Sequence, residues 1–258
     1  MQNGNLGILI FWRRLEFGLG RPKESPGVFS HHLEVMCMGQ YLVASWQGLL
    51  QYISKNMFGN GYYYWHLTEL PVQRQNKWGE IDRKLIKKYD GIIDKFKRHR
   101  RKAKGEANFR YIRFEQYVFI FHTLGTLPDV YDDPFYDVRE NPFILKISDS
   151  VSFKIRINGD GKVNVSFTTD TYQGFKAMLH NVAKTQNAGL LKKTFSHING
   201  IPSPAGVLRQ KKDLVDYVIR QAEKNQLRIG DGKKKRKMNR QDFWINTKSK
   251  TVKVFVDE

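Results

Sequence analysis

A regular alternation of apolar and polar residues between 151 and 168 limits the fold of this chain more than any other feature. Apolar side chains occupy every second position of 153–157 and of 163–167, and the turn-forming sequence NGDG (158–161) separates the two runs. This pattern predicts an antiparallel β-hairpin with one face in the core and a polar face that carries three cations. The chain therefore contains at least one sheet with a solvated face.

The remaining patterns add strands and helices to this hairpin. Residues 62–70 and 108–125 are rich in aromatic and β-branched residues and are predicted strands, with 118–121 buried on both faces. We predict helices at 31–55, 77–104, 170–185, 187–198 and 207–227, and a second hairpin at 243–256.

The helix predicted at 77–104 has one apolar stripe and a possible break at Asp90 and Gly91. The stripe consists of residues spaced by three and four, namely Trp78, Ile81, Leu85, Tyr89, Ile92 and Phe96. We expect all six side chains to face the core.

This order of elements predicts an α+β fold, with helices packed on a mostly antiparallel sheet. A ferredoxin-like β-α-β-β-α-β core can be drawn through 62–185. We expect an N-terminal helical segment at 1–60, an α+β core at 61–200, and at 201–258 a basic helix, a KKKRK loop and the terminal hairpin. A 40% hydrophobic and 13% aromatic content excludes a disordered basic tail.

The sequence predicts a cytoplasmic protein without a membrane segment. One cysteine, Cys37, excludes an intramolecular disulfide and any Cys-based zinc cluster, and it suits a reducing compartment. Polar residues and glycines dilute the uncharged stretch 35–54, so a buried helix explains it better than a membrane span. The apolar run 6–12 precedes its basic pair, which is the reverse of the order in a signal peptide.

Two short segments hold nearly all of the excess positive charge. Residues 74–104 contain 13 Lys and Arg against 4 Asp and Glu, and residues 207–240 contain 12 against 4, whereas the formal net charge of the whole chain is +19. Charge concentrated in this way repels itself unless a polyanion relieves it, and nucleic acid is the most common such partner. We therefore expect a nucleic-acid-binding protein, with DNA favoured over RNA.

Phosphate contacts are predicted from both segments. In the first segment they are Lys84, Lys87, Lys88, Lys97, Arg98, Arg100, Arg101, Lys102 and Lys104. In the second they are Arg209, Lys211, Lys212, Lys233, Lys234, Lys235, Arg236 and Lys237. Solvated helix faces and docking of an acidic protein or ribonucleoprotein are the alternatives. The aromatic run 62–65 could stack on bases, although core packing is its ordinary role.

Catalytic candidates are few. His66, Glu115 and His122 lie in or next to predicted strands and could together bind a divalent metal, since imidazole and carboxylate suit several such ions. Tyr217, within a cationic helix, could attack a phosphodiester beside that metal. These residues would make the protein a metal-dependent endonuclease or strand-transfer initiator. Outside that alternative, we expect no cofactor.

Several strings between 61 and 153 resemble a family of uncharacterised bacterial proteins. They are DRKLIKKY (82–89), RRKAKGEANFRYIR (100–113), HTLG (122–125) and DVRENP (137–142). This resemblance implies a bacterial source and no particular activity. The order of an early strand, a histidine strand and a tyrosine helix also resembles the HUH replication initiators and relaxases, although that family has two histidines where this strand has only His122. The resemblance to these initiators and relaxases implies a plasmid or other mobile element as the origin.

Overall fold

The computed structural model describes residues 39–127, 133–230, 234–247 and 251–256. Within them the chain forms two compact units. Of the described residues, those between 39 and 143, 156–163 and 252–256 belong to the N-terminal unit, and those within 144–155 and 164–251 belong to the C-terminal unit. The main boundary between the units thus lies between residues 143 and 144, whereas the boundaries predicted from the sequence are at 60 and 200.

Helices and a four-stranded sheet form the N-terminal unit. Its elements are α1 (Trp46–Gln51), which continues as a π-helical turn to Met57, β1 (Tyr64–Glu69), α2 (Trp78–Tyr89), α3 (Lys95–Ala103), β2 (Phe109–Phe114), β3 (Tyr117–His122) and β4 (Tyr136–Asp137). The predicted strands at 62–70 and 108–125 are confirmed, the second as a hairpin. The α+β class is also confirmed.

The sheet is antiparallel throughout, with the strand order β2-β3-β1-β4. This is the strand order of a ferredoxin-like core. The second helix of that core is absent from the described part of the β3–β4 connection, which comprises 123–127 and 133–135. The structure therefore contains the strands of the predicted core but no helix in the described part of that connection.

Strand β3 is buried on both faces, as the apolar run at 118–121 predicts. One face packs against α2 and its neighbours in a cluster formed by Tyr41, Leu70, Trp78, Tyr89, Ala107, Phe109, Tyr111, Val118 and Ile120. On the other face Phe119 and Phe121 meet the rings of Phe58 and Phe143. Every residue of β3 is buried.

Two predicted elements are wrong in the part of the chain that the structure describes. The helix predicted at 31–55 begins only at Trp46, because Leu42 and Val43 form β-bridges and Ser45 caps α1. Residues 31–38 of that prediction lie outside the described residues. The terminal hairpin predicted at 243–256 does not form among the described residues, where Phe255 instead pairs with Val43.

The C-terminal unit contains three helices. From 143 onward the elements of the chain are β5 (Phe143–Lys146), β6 (Ser152–Ile157), β7 (Val163–Phe167), α4 (Thr169–Lys184), α5 (Ala188–Asn199), α6 (Ala205–Lys224), β8 (Arg228–Ile229) and β9 (Arg236–Lys237). Of these residues, Phe143 and 156–163 belong to the N-terminal unit. Strands β6 and β7 confirm the predicted hairpin, and the three helices agree with the predicted ones. In the described ranges no helix has the length and hydropathy needed to cross a membrane.

Candidate nucleic-acid interface

Helix α3 carries six cations and no acidic residue within nine positions, and none of its residues is buried. Hydrophobic burial therefore does not hold it in place. Its first turn is capped by the Asp94 carboxylate, which accepts a hydrogen bond of 2.8 Å from the Lys97 N–H, and this bond lowers the pKa of Asp94. Asn108 Nδ2 donates to the carbonyl of Arg98 at 3.2 Å and ties the helix to the start of β2.

Three of the predicted phosphate contacts on α3 are already engaged in bonds within the protein. The amine of Lys97 and the guanidinium of Arg101 lie 2.5 and 2.7 Å from the carboxylate of Asp90. Arg98 Nη1 donates to the carbonyl of Ile93 at 2.9 Å. These three side chains secure α3 to the turn that precedes it.

The opposite side of α3 is free of such bonds. Among the described residues, Arg100 and Lys102 form no side-chain hydrogen bond or salt bridge, and both are exposed. Phe96 on the same side is 77% exposed. We call the exposed residues of this side, Lys95, Phe96, His99, Arg100, Lys102 and Ala103, the outward face of α3.

Helix α2 and the turn after α3 extend the positive surface only in part. Lys84, Lys87 and Lys104 are exposed, as predicted for phosphate contacts. Lys88 lies 2.5 Å from the Asp133 carboxylate, which also accepts a hydrogen bond from the hydroxyl of Tyr89. The hydrogen bond from Lys88 is the main cause of the lowered pKa of Asp133.

Lys211, a predicted phosphate contact in the second basic segment, is completely buried. Its ammonium group donates to the carbonyls of Asn199 and Ile201 at 2.9 and 2.5 Å and to Ser203 Oγ at 2.8 Å. Burial lowers the pKa of Lys211 to about 8. The prediction of a phosphate contact is therefore wrong here, because this lysine ties the loop after α5 to α6. Its neighbour Lys212 is exposed, as is Arg209.

Arg236 and Lys237 lie on a two-stranded antiparallel ribbon formed by β8 and β9, and Lys234 and Lys235 directly precede β9. Arg228 lies directly opposite Lys237 in this ribbon, and Ile229 lies opposite Arg236. Lys234, Lys235 and Lys237 are exposed, whereas Lys233 lies outside the described residues. Arg236 is bound in bidentate fashion to the carboxylate of Asp242, at 2.8 and 2.6 Å, and is thus the least available of the ribbon cations.

The three predicted metal ligands are not brought together. His66 and His122 share the helix-covered face of the sheet, and the ring of Phe135 contacts both. Glu115 lies in the turn between β2 and β3, which the Phe114–Tyr117 pair closes. His122 pairs with Phe109 at the opposite end of the same hairpin. No cluster of three or more His, Cys, Asp or Glu side chains in the described ranges could hold a metal ion. The expected metal trio is therefore not formed.

Tyr217 belongs to the other unit, since it lies on α6. The Lys176 amine lies 5.6 Å from the centre of its ring, and the same amine lies 4.6 Å from the ring of Tyr172. The surroundings of Tyr217 are thus cationic, as its sequence context suggested.

His122 has unusual hydrogen bonding for a buried side chain. It is 4% exposed, its ring stacks on that of Tyr64 at 4.6 Å, and Nδ1 lies 2.8 Å from the carbonyl of Thr123. A carbonyl only accepts, so Nδ1 carries the proton and Nε2 has a free lone pair. Nε2 is buried and has no hydrogen-bond partner among the described residues, and burial lowers the pKa of the ring.

The aromatic run 62–65 is divided between several roles. Trp65 is buried against Phe143, and Tyr64 stacks on His122. The guanidinium of Arg139 lies 4.8 Å from the ring of Tyr63 and donates to the Tyr64 hydroxyl at 3.0 Å. Core packing thus accounts for Trp65, and intramolecular contacts occupy both tyrosines.

Phe96 is not among the candidates predicted from the sequence, because its spacing places it in the apolar stripe. The helix break predicted at Asp90 and Gly91 could have indicated its exposure, because the break separates Phe96 from most of the stripe. Asp90 adopts the left-handed conformation at the end of α2, with φ of 50°. Helix α3 therefore starts with a different rotation about its axis than α2. The apolar stripe of α2 does not continue onto α3.

Comparison of the chain with protein-family models, with curated proteins and with solved structures gives no match. The resemblances to uncharacterised bacterial proteins and to HUH initiators accordingly stay expectations from the sequence.

Proposed function

We propose that this protein binds nucleic acid, DNA in preference to RNA, through the outward face of α3 and, separately, through the ribbon formed by β8 and β9. The observation that carries the proposal is the composition of α3, with six cations, no acid and no buried residue. Positive residues on adjacent turns of a helix repel one another and destabilise it. Among the described residues, Asp90 pairs with Lys97 and Arg101, and Asp94 caps the first turn, but no acid forms a salt bridge with Arg100 or Lys102.

The ribbon supports the proposal in the same way. Like charges directly across an antiparallel pair are destabilising, and Arg228 and Lys237 occupy such positions. Lys234 and Lys235 add charge beside them. A phosphate backbone would neutralise this repulsion, with release of its counterions.

The test measures affinity for labelled DNA and RNA over a range of salt concentrations. We expect log K to fall linearly with log salt, and Arg100→Gln and Lys102→Gln each to reduce the slope by about one. Lys55→Gln, which changes an exposed cation outside both surfaces, is the matched control and should leave the slope unchanged. Binding that ignores salt, or no binding, contradicts the proposal. A protein partner that stays bound after nuclease treatment would then indicate docking of an acidic protein.

A metal-dependent endonuclease is the second candidate, and the free lone pair of His122 Nε2 favours it. A neutral imidazole whose Nδ1–H donates to a carbonyl is the form in which histidine binds a metal or accepts a proton. Labelled single-stranded DNA incubated with Mg²⁺ or Mn²⁺ tests this activity. Cleavage that is lost in His122→Ala supports it, and intact DNA and RNA substrates with the wild-type protein exclude it.

A further inference from the structure

Phe96 faces solvent because the chain breaks between α2 and α3. A continuous helix would place Phe96 five turns after Trp78, and therefore on the same side as that buried ring. Asp90 ends α2 in the left-handed conformation, and Asp94 caps a separate helix. The result is an aromatic side chain that is 77% exposed on a helix without a buried residue.

The exposed ring has planar neighbours. Residues three and four positions apart are neighbours on a helix surface, so His99 and Arg100 both lie next to Phe96 on the outward face of α3. Their phenyl, imidazole and guanidinium groups are all flat, and all three side chains are exposed. Lys95 and Lys102 add positive charge beside these three residues. The face thus combines stacking groups with phosphate-binding groups.

We infer that the outward face of α3 binds single-stranded DNA, with an unpaired base stacked on the ring of Phe96. This inference deepens the proposed function and rests on it. Aromatic side chains and guanidinium planes stack on bases that a single strand leaves accessible, and cations beside them contact the backbone. A duplex keeps its bases stacked on one another, so it offers phosphates to this face but no base plane.

The composition of the face favours DNA over RNA. A protein distinguishes RNA through the 2′-hydroxyl, which both donates and accepts hydrogen bonds. On the outward face only His99, in its neutral form, can pair with this group in both roles, because the side chains of lysine and arginine only donate. RNA thus gains at most one such two-way contact here.

The experiment compares Phe96→Ala, Phe96→Leu and Phe96→Trp with the wild-type protein at one salt concentration. The probes are a fluorescent oligothymidylate of about twenty nucleotides, its uridine counterpart, and a DNA duplex of equal length. We expect Phe96→Ala and Phe96→Leu to weaken binding of the DNA single strand about 5- to 150-fold, and Phe96→Trp to keep it. Val72→Ala, at a 56% exposed apolar residue outside α3, is the control and should bind normally.

A second measurement separates stacking from charge. The salt slope of Phe96→Ala should equal that of the wild-type protein, because no phosphate contact is lost. A strand that contains 2-aminopurine should lose fluorescence on binding to the wild type and not on binding to Phe96→Ala.

The outcomes distinguish this inference from the proposed function. A wild-type protein that binds no nucleic acid overturns both. Salt-dependent binding that Phe96→Ala leaves unchanged, or equal affinity for strand and duplex, overturns the stacking site alone. Equal or tighter binding of the uridine strand overturns the assignment to DNA.

Discussion

Gly91 lies directly against Tyr111 on strand β2. A β-carbon built on Gly91 would lie 2.7 Å from Tyr111 Cβ, and the Tyr111 N–H donates to the Gly91 carbonyl at 3.1 Å. The turn between α2 and α3 therefore passes so close to the strand that no side chain fits. This close approach sets where α3 begins and, with it, which of its residues face solvent.

We expect Gly91→Ala to lower the free energy of unfolding by about 1–3 kcal/mol, because the added methyl group must displace either the turn or the strand. Urea unfolding followed by circular dichroism measures the effect. Gly79→Ala is the control, since a β-carbon at Gly79 within α2 meets nothing within 4 Å and alanine is the better helix former. Equal stability of Gly91→Ala and the wild type would show that the turn accommodates a side chain.

Asp82 anchors α2 to β2 through a buried ion pair. Its carboxylate, which is completely buried, accepts hydrogen bonds from Arg113 Nε at 2.9 Å and from the Tyr111 hydroxyl at 2.5 Å. We expect Asp82→Asn to cost about 3–5 kcal/mol, because it leaves the charge of Arg113 buried without a counter-ion.

Chemical denaturation of Asp82→Asn checks this value. Glu80→Gln, which changes an exposed acid on the same helix, serves as its control and should change stability by less than about 1 kcal/mol. A loss of similar size in both variants would argue against a special role for the buried pair.

Lys211 and Lys212 are adjacent and identical in sequence, but the structure predicts opposite effects for them. Lys211→Met should lower the free energy of unfolding by about 1–3 kcal/mol, since it leaves buried acceptors of the loop after α5 without a donor. Lys212→Met should leave stability within about 0.5 kcal/mol of the wild type. Denaturation of both variants measures the difference, and a destabilised Lys212→Met would contradict the structural assignment.

His122 should make stability depend on pH below neutrality. Burial lowers the pKa of His122 in the folded protein, whereas the unfolded chain has the ordinary value of 6.5. As the pH falls below 6.5, the unfolded state binds the proton first, so the free energy of unfolding decreases until the pH reaches the folded pKa. His122→Phe should remove this part of the decrease.

Unfolding at about pH 7.5 and about pH 5.5 tests this prediction when the wild type and His122→Phe are compared. The wild type should lose more stability than the variant between these conditions. The NMR titration of the imidazole should show a pKa below 6.5. An identical loss in both proteins would mean that His122 titrates alike in the folded and unfolded states.

The sequence by itself determined the local structure where the pattern of apolar residues is compatible with only one type of secondary structure. The alternation at 153–157 and 163–167 predicted β6 and β7, and the apolar run at 118–121 predicted a strand buried on both faces. The break after α2 was also predicted from Asp90 and Gly91. These elements depend on neighbours within a few residues along the chain.

Only the tertiary structure decided the features that depend on distant residues. Val43 pairs with Phe255 across more than two hundred residues, and so the terminal hairpin and the start of the first helix were predicted wrongly. Which lysine of an adjacent pair is buried, and whether Phe96 faces the core or solvent, follow from the rotation and packing of whole helices. Residue type and spacing do not specify the rotation of a helix about its axis once a turn interrupts it. The helix after the turn starts in a new orientation, which its contacts with the sheet determine.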